Sequence, residues 1–162
     1  MSTTVESSPL PSRAAVRSMV EDLLGRSVEL TDAAPVPNQP GNVIAVYVTD
    51  RQAMTAVAVV DLAGAARLGG ALGMLPPGGI EDAVDERELS AMLQENCYEV
   101  LNVLSATFNV EGAPHVRLYE MYGPDASLPS DVAALAHTLG NRLDVSLSIA
   151  GYGDVHLSLV AG

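Results

Sequence analysis

Apolar and polar residues alternate most regularly near the end of the chain. From residue 143 to residue 149 every second side chain is aliphatic, and the alternation resumes over 155–159 after the sequence Gly-Tyr-Gly-Asp. Successive residues of a β-strand face opposite sides of its sheet, so this pattern indicates strands with one buried side. Two such strands joined by a short turn with glycine predict a β-hairpin.

Residues 42–48 and 54–60 predict a second hairpin. The first segment is rich in valine, and the second is almost entirely apolar, which is typical of a strand in the middle of a sheet. The turn between them is short, so the two strands are expected to be antiparallel. Residues 27–30 and 115–121 predict two further strands.

Helical spacing of apolar residues predicts a first helix that begins after Ser12, its N-cap, and ends at Gly25. Residues 62–74 predict a helix of small residues that lies close against the sheet. Another helix is predicted over 131–139, with Ser130 as its cap.

Together these elements predict an α+β fold, with a mostly antiparallel sheet of about six strands, two long helices and shorter helices packed on it. A chain of 162 residues is long enough for one domain with a hydrophobic core. We place this single domain at residues 12–162. Residues 1–11 are rich in serine, threonine and proline and predict a disordered tail.

The longest helix is predicted from about Asp85 to Phe108, a stretch without proline or glycine. Asp85 is the predicted cap, and Glu86 and Glu88 follow in the first turn, where the helix dipole favours negative charge. With a rotation of roughly 100° per residue, one side is apolar and carries Leu93, Cys97, Val100, Leu104 and Phe108. The opposite side, which we call the front, carries Glu95, Glu99, Asn102 and Ala106. The front is the best candidate for a functional site.

The chain is strongly acidic, with 20 Asp and Glu residues against 8 Lys and Arg residues and a formal net charge of -12. This charge repels nucleic acid and anionic membranes, so neither is a predicted partner. It suits a protein that exposes lysine or arginine, although solubility alone is the simpler explanation. No stretch approaches the roughly 20 apolar residues of a membrane span, and the N-terminus lacks the pattern of a signal peptide. The sequence therefore predicts a cytoplasmic protein.

The motifs of common catalytic and metal sites are missing from the sequence. It contains no GxSxG elbow, P-loop or HExxH motif. Cys97 is the single cysteine, and no Cys/His spacing typical of a metal site is found, so no metal site is predicted. Glu95 and Glu99 could act as an acid–base pair, but carboxylates four residues apart on a helix are more often a solvated face.

The sequence Glu99-Val-Leu-Asn102 in the long helix resembles the Glu-x-x-Asn signature of the CheC/CheX family of chemotaxis phosphatases, and the CheX type in particular. The resemblance covers residues 13–160, because the order of elements also agrees. An opening helix ends in Leu-Leu-Gly, a strand leads into an alanine-rich helix, and an acidic linker at 81–86 precedes the signature helix. A strand, a helix and a hairpin then close the chain.

The resemblance implies a phosphatase that hydrolyses the phospho-aspartate of a CheY-like response regulator. The regulator supplies Mg²⁺ and a lysine, so the chain needs no cofactor of its own. Asn102 would position the attacking water, since a carboxamide offers one acceptor and two donors, much as a glutamine orients water in GTPases. Glu99 would pair with the regulator's lysine.

Two residues of the front depart from the family pattern, and both are assigned to partner binding. Glu95 stands where family members often carry Asp or Ser, and Ala106 stands where they usually carry Gly. The additional methyl group of Ala106 can obstruct close approach of the partner. The first helix lacks a second Glu-x-x-Asn, which favours the single-site CheX type over the two-site CheC type.

Other functions fit the same residues. One is a non-catalytic module of this fold that binds a response regulator or the flagellar switch. Another is a scaffold or dimerisation domain without phosphoryl chemistry. The CheX resemblance also implies a homodimer formed through the edges of the sheet.

Overall fold

A computed structural model describes residues 7–162 of the chain. The predicted disordered tail at 1–11 falls partly on residues 1–6, which lie outside the described residues, and it stays a prediction. In residues 7–11, Ser8 is buried, and its hydroxyl oxygen lies 2.7 Å from that of Thr55, within hydrogen-bonding distance.

The described residues form the α+β fold that the sequence predicts. The α-helices are α1 (Arg13–Leu24), α2 (Leu62–Leu72), α3 (Pro77–Glu86), α4 (Ala91–Leu104) and α5 (Ser130–Ala136), with a 3-10 turn at Ser105–Phe108. The strands are β1 (Val28–Asp32), β2 (Val43–Thr49), β3 (Met54–Val60), β4 (Val116–Tyr122), β5 (Arg142–Ile149) and β6 (Gly153–Ala161). None of the helices within residues 7–162 has the length and apolar character needed to cross a membrane.

The six strands form one antiparallel sheet in the order β1-β5-β6-β3-β2-β4. Both predicted hairpins are confirmed, because β2 pairs with β3 and β5 pairs with β6, where Leu147 lies opposite Val155. In the described residues, β1 and β4 are the edge strands. The predicted homodimer would form at these edges, and it stays a prediction.

The central strands are buried because both faces of the sheet are covered. Helices α1 to α4 pack on one face, and their core includes Val16, Leu68 and Leu101. Helix α5 and the proline-rich loop at 33–42 cover the other face, where Val36 packs in a second apolar cluster. This second layer explains why β3 is apolar on both of its sides.

Helix α1 begins and ends at the predicted residues. The Ser12 hydroxyl oxygen accepts a hydrogen bond from the main-chain N–H group of Ala15 at 3.1 Å. Gly25 follows the last turn in the left-handed conformation, with φ of 67°, which costs glycine little because it has no Cβ atom.

The prediction of one helix from Asp85 to Phe108 was wrong at its start. Asp85 and Glu86 belong to the end of α3, which begins at Pro77 and includes residues 81–86, the stretch predicted as a linker. Proline suits a first helical position because an N–H group there would have no partner within the helix, so its absence costs nothing.

Arg87, with φ of 57°, turns the chain between the two helices. Ser90 then caps α4, and its hydroxyl oxygen accepts a hydrogen bond from the N–H group of Leu93 at 3.2 Å.

The predicted cap of the last helix was also wrong, because Ser130 is the first residue of α5 and Pro129 occupies the cap position.

Small residues bring α2 close to the sheet, as predicted, and also close to α4. A Cβ atom on Gly64 would lie 2.8 Å from a methyl group of Val155 in β6. A Cβ atom on Gly69 would lie 2.5 Å from the main-chain oxygen of Leu93 in α4. The two helices therefore touch through their backbones at Gly69.

Replacing Gly69 with alanine is expected to destabilise the protein. The new methyl group must push α2 and α4 apart, because the Leu93 oxygen belongs to the main chain and cannot rotate away. Overpacking of this kind costs about 1 to 3 kcal/mol of the free energy of unfolding. Urea denaturation followed by circular dichroism should show a lower midpoint.

Gly79→Ala is a matched control. Gly79 lies in α3, and apart from its chain neighbours and the backbone of its own helix no described atom lies within 4 Å of the position that its Cβ atom would take. Alanine is favoured over glycine in helices by about 1 kcal/mol, so this variant should be at least as stable as the wild type. An equal loss of stability in both variants would contradict the backbone contact between α2 and α4.

Candidate functional site

Helix α4 packs its predicted apolar side against the sheet. Leu93, Cys97, Val100, Leu104 and Phe108 are all buried, as is Leu101 between them. The opposite side is in contact with solvent: Glu95, Glu99, Asn102 and Ala106 are all exposed. All four predicted residues of the front are therefore accessible to a partner, three of them on α4 and Ala106 in the turn that follows it.

Two amides elsewhere on α4 are used to build the fold. The amide nitrogen of Asn96 donates to the main-chain oxygen of Gly69 at 3.0 Å, and that of Gln94 donates to the oxygen of Leu89 at 3.0 Å. The side chains of Glu99 and Asn102 make no hydrogen bond or ion pair within residues 7–162. Their polar atoms are therefore available to a partner.

Ala106 lies beyond the end of α4. It belongs to the 3-10 turn at Ser105–Phe108, so the prediction that the α-helix continues through it was wrong. A 3-10 turn advances further around its axis per residue than an α-helix does. Ala106 is nevertheless exposed and lies one turn after Asn102, so its methyl group adjoins the same surface.

Two apolar side chains beside the front were missed in the sequence. Met92 is 49% exposed and Tyr98 is 39% exposed. Helical spacing places them on either side of Glu95, roughly 60° away in each direction, and this spacing was the signal that could have identified them. Aromatic residues and methionine are enriched at protein interfaces, so the front has the composition of a docking surface.

The front carries negative charge without a balancing cation. Helix α4 contains no basic residue, and neither Glu95 nor Glu99 forms an ion pair within the described part of the chain. No three His, Cys, Asp or Glu residues among residues 7–162 are grouped so that they could hold a metal ion. The surface is therefore suited to a positively charged group on another molecule.

The sequence matches no known family model. It also matches no curated protein. Similar proteins are found instead by comparing three-dimensional structures.

Several solved structures match nearly the whole chain, including a FliM middle domain and two CheX proteins. A FliM middle domain from Vibrio alginolyticus has a TM-score of 0.58 and 8% identity, and the match covers 91% of this chain and 87% of that chain. CheX in a CheX-CheY-BeF3-Mg²⁺ complex from Borrelia burgdorferi has a TM-score of 0.53 and 12% identity, covering 90% and 92%. CheX from Desulfovibrio desulfuricans has a TM-score of 0.53 and 9% identity, covering 92% and 95%.

The chain has the fold of CheX and of the FliM middle domain. The resemblance that the Glu-x-x-Asn sequence indicated is confirmed at the level of the fold. Proteins with this fold include the chemotaxis protein CheX and the FliM middle domain. With sequence identities of 8 to 12%, these matches show that the chain has a CheX-like fold.

Cys97 lies on the buried side of α4, and burial raises the pKa of its thiol to about 12. An exposed thiol has a pKa of about 8.5. We expect the native protein to be unreactive toward a thiol reagent such as DTNB at pH 8 and to react once it is unfolded in urea. Rapid reaction of the native protein would contradict the burial of Cys97.

The same shift predicts how stability depends on pH. Below pH of about 8.5 the thiol is protonated in both states, and its contribution to stability is fully present. As the pH rises from there toward about 12, the unfolded chain alone loses the proton, so stability falls. Urea midpoints at pH 7.5 and 10 measure this loss, and Cys97→Ala, which has no thiol, should show a smaller one.

Proposed function

We propose that the chain is a phosphatase that hydrolyses the phospho-aspartate of a CheY-like response regulator. The observation that carries the proposal is the joint exposure of Glu99 and Asn102 on one side of α4. Their side chains make no hydrogen bond or ion pair within residues 7–162. Their separation of three residues corresponds to a rise of roughly 4.5 Å along the helix. Both side chains can therefore meet one compact group on a partner.

In this reaction Asn102 holds a water molecule in line with the phosphorus–oxygen bond. Its carboxamide oxygen accepts a hydrogen bond from the water, and its NH₂ group can donate to a phosphoryl oxygen. An acyl phosphate is already reactive, so positioning of the water is the main requirement and a strong base is unnecessary. The Mg²⁺ ion that neutralises phosphoryl charge belongs to the regulator.

Glu99 binds the lysine of the regulator and fixes how the two proteins align. The chain contains eight arginines and no lysine, so an ammonium group at this site must come from the partner. Glu95 adds a second carboxylate one turn earlier. Met92 and Tyr98 supply apolar contact on either side of these charges.

A second candidate is a docking module of the same fold without catalytic activity. The match to a FliM middle domain favours it, because this fold also occurs in a flagellar protein. Ala106 also favours it, since a methyl group at the rim of the site can hold the phosphoryl group away from Asn102. Binding of a phosphorylated regulator without loss of its phosphoryl group would support this second candidate.

Asn102→Ala is expected to lower the rate of dephosphorylation roughly a hundredfold, the order of effect seen when one preorganised hydrogen-bonding group is removed from an active site. Binding of the regulator should remain nearly unchanged, because the water is positioned mainly in the transition state. The rate is measured as loss of acyl phosphate from CheY-like regulators of the same organism. Affinity is measured with the beryllofluoride-activated regulator.

Asn38→Ala is the matched control for this substitution. Asn38 is an exposed carboxamide in the loop that covers the other face of the sheet, so the same chemical change is made far from the front. It should leave the rate unchanged. A wild-type rate in Asn102→Ala would rule out water positioning by this residue.

Ala106→Gly tests whether the methyl group obstructs the partner. Removing it should tighten regulator binding by up to roughly tenfold, equivalent to about 1.4 kcal/mol, and should raise the rate if the phosphoryl group then sits closer to Asn102. Ala134→Gly, at an exposed position in α5, controls for the loss of helix stability caused by glycine. Equal affinities of wild type and Ala106→Gly would show that the methyl group does no harm.

A further inference from the structure

The carbonyl oxygen of Leu101, the residue before Asn102, is bonded to a side chain of the sheet. The hydroxyl group of Tyr47 in β2 donates a hydrogen bond to it at 2.7 Å. In a continuing α-helix that oxygen would accept the N–H group four residues later, which belongs to Ser105. The Ser105 N–H group is bonded to the carbonyl oxygen of Asn102 instead. The chain therefore tightens into the 3-10 form at Ser105, three residues after Asn102.

Ser105 holds the main chain of Asn102 with two donors. Besides its N–H group, its hydroxyl group donates to the Asn102 carbonyl oxygen at 2.6 Å. The bond from the N–H group is of the 3-10 type, and the hydroxyl group adds a second bond to the same oxygen. The backbone that carries the Asn102 side chain is therefore fixed, while the side chain itself remains exposed.

Tyr47 also contacts the far end of the 3-10 turn. Its ring packs against that of Phe108, with 5.3 Å between the ring centroids and a tilt of 40°. Both residues are fully buried. A single side chain from the sheet thus holds the chain just before Asn102 and just after Ala106.

The Tyr47 hydroxyl group remains a donor under all ordinary conditions. The side chain has no contact with solvent, and burial raises the pKa of the phenol far above its usual value. A buried hydroxyl group that lacks a partner is costly, so the bond to the Leu101 oxygen is maintained.

We propose that Tyr47 is a positioning residue for Asn102: by holding the Leu101 carbonyl group, it sets the helix end from which the Asn102 side chain is displayed. The catalytic part of this role rests on the proposed phosphatase function. Tyr47 acts through the main chain and touches neither the water nor the phosphoryl group. Strand β2 is therefore part of the site, although it lies beneath α4.

The test is Tyr47→Phe, which keeps the ring and its contact with Phe108 but removes the donor. The Leu101 oxygen can then accept the Ser105 N–H group, which lengthens the α-helix and turns Asn102. We expect kcat for loss of acyl phosphate from a CheY-like regulator to fall about tenfold to a hundredfold, since misplacement by about 1 Å can cost that much. Affinity for the regulator, measured with its beryllofluoride form, should be unchanged.

Tyr152→Phe is the matched control. The Tyr152 hydroxyl group also donates to a main-chain oxygen, that of Leu75, at 2.9 Å, and Tyr152 is 7% exposed. This variant loses the same kind of bond at a place distant from Asn102. Both variants should show lower urea midpoints, but only Tyr47→Phe should lose kcat. An unchanged kcat in Tyr47→Phe, or an equal fall in both variants, overturns the proposal.

A second measurement on the free chain separates this proposal from the proposed function. The NMR signals of the Leu101 carbonyl carbon and the Asn102 side-chain amide should shift in Tyr47→Phe and stay in place in Tyr152→Phe. Unchanged signals in Tyr47→Phe overturn the positioning role whatever the activity. Shifted signals in a protein whose wild type dephosphorylates no regulator overturn the phosphatase function and support the positioning of Asn102.

Discussion

The backbone contact between α2 and α4 determines which side of α4 faces solvent. Gly69 has no side chain, so the Leu93 carbonyl group reaches the main chain of α2, and the amide of Asn96 bonds to the Gly69 oxygen at 3.0 Å. Helix α4 cannot rotate about its axis without breaking this contact and exposing its apolar residues. The orientation of Asn102 toward solvent is therefore a consequence of how the helical layer packs.

The front resembles one half of a binding site whose other half a second protein would supply. Asn96 and Asn102 carry the same carboxamide on the same helix. The side chain of Asn96 bonds to Gly69, whereas the side chain of Asn102 makes no hydrogen bond within residues 7–162. The carboxylates of Glu95 and Glu99 lie on the same side of α4 and form no ion pair within residues 7–162. A partner that brings cations of its own would complete such a surface. In the free chain, the bond from Tyr47 to the Leu101 carbonyl group fixes the backbone beside Asn102.

The sequence was sufficient to predict those elements whose boundaries and faces depend on their own residues. Ser12 and Gly25 limit α1 as predicted, strict alternation of apolar residues predicted the β5–β6 hairpin, and helical spacing predicted the exposed front. Arg87 was missed because its left-handed turn is unusual for a residue other than glycine. The bond between Tyr47 and Leu101 joins residues 54 positions apart, and helical periodicity contains no information about such a pair. The exposed front was thus predictable, but the side chain beneath it was not.

The burial of Cys97 makes the protein well suited to single-site labelling. The native thiol is enclosed and stays protonated at neutral pH, so a cysteine introduced at the surface would be the one that a maleimide dye attacks. Leu139 is 85% exposed and follows α5 on the other face of the sheet from α4. A fluorophore there could report the arrival of a partner at α4 while leaving the contact surface untouched.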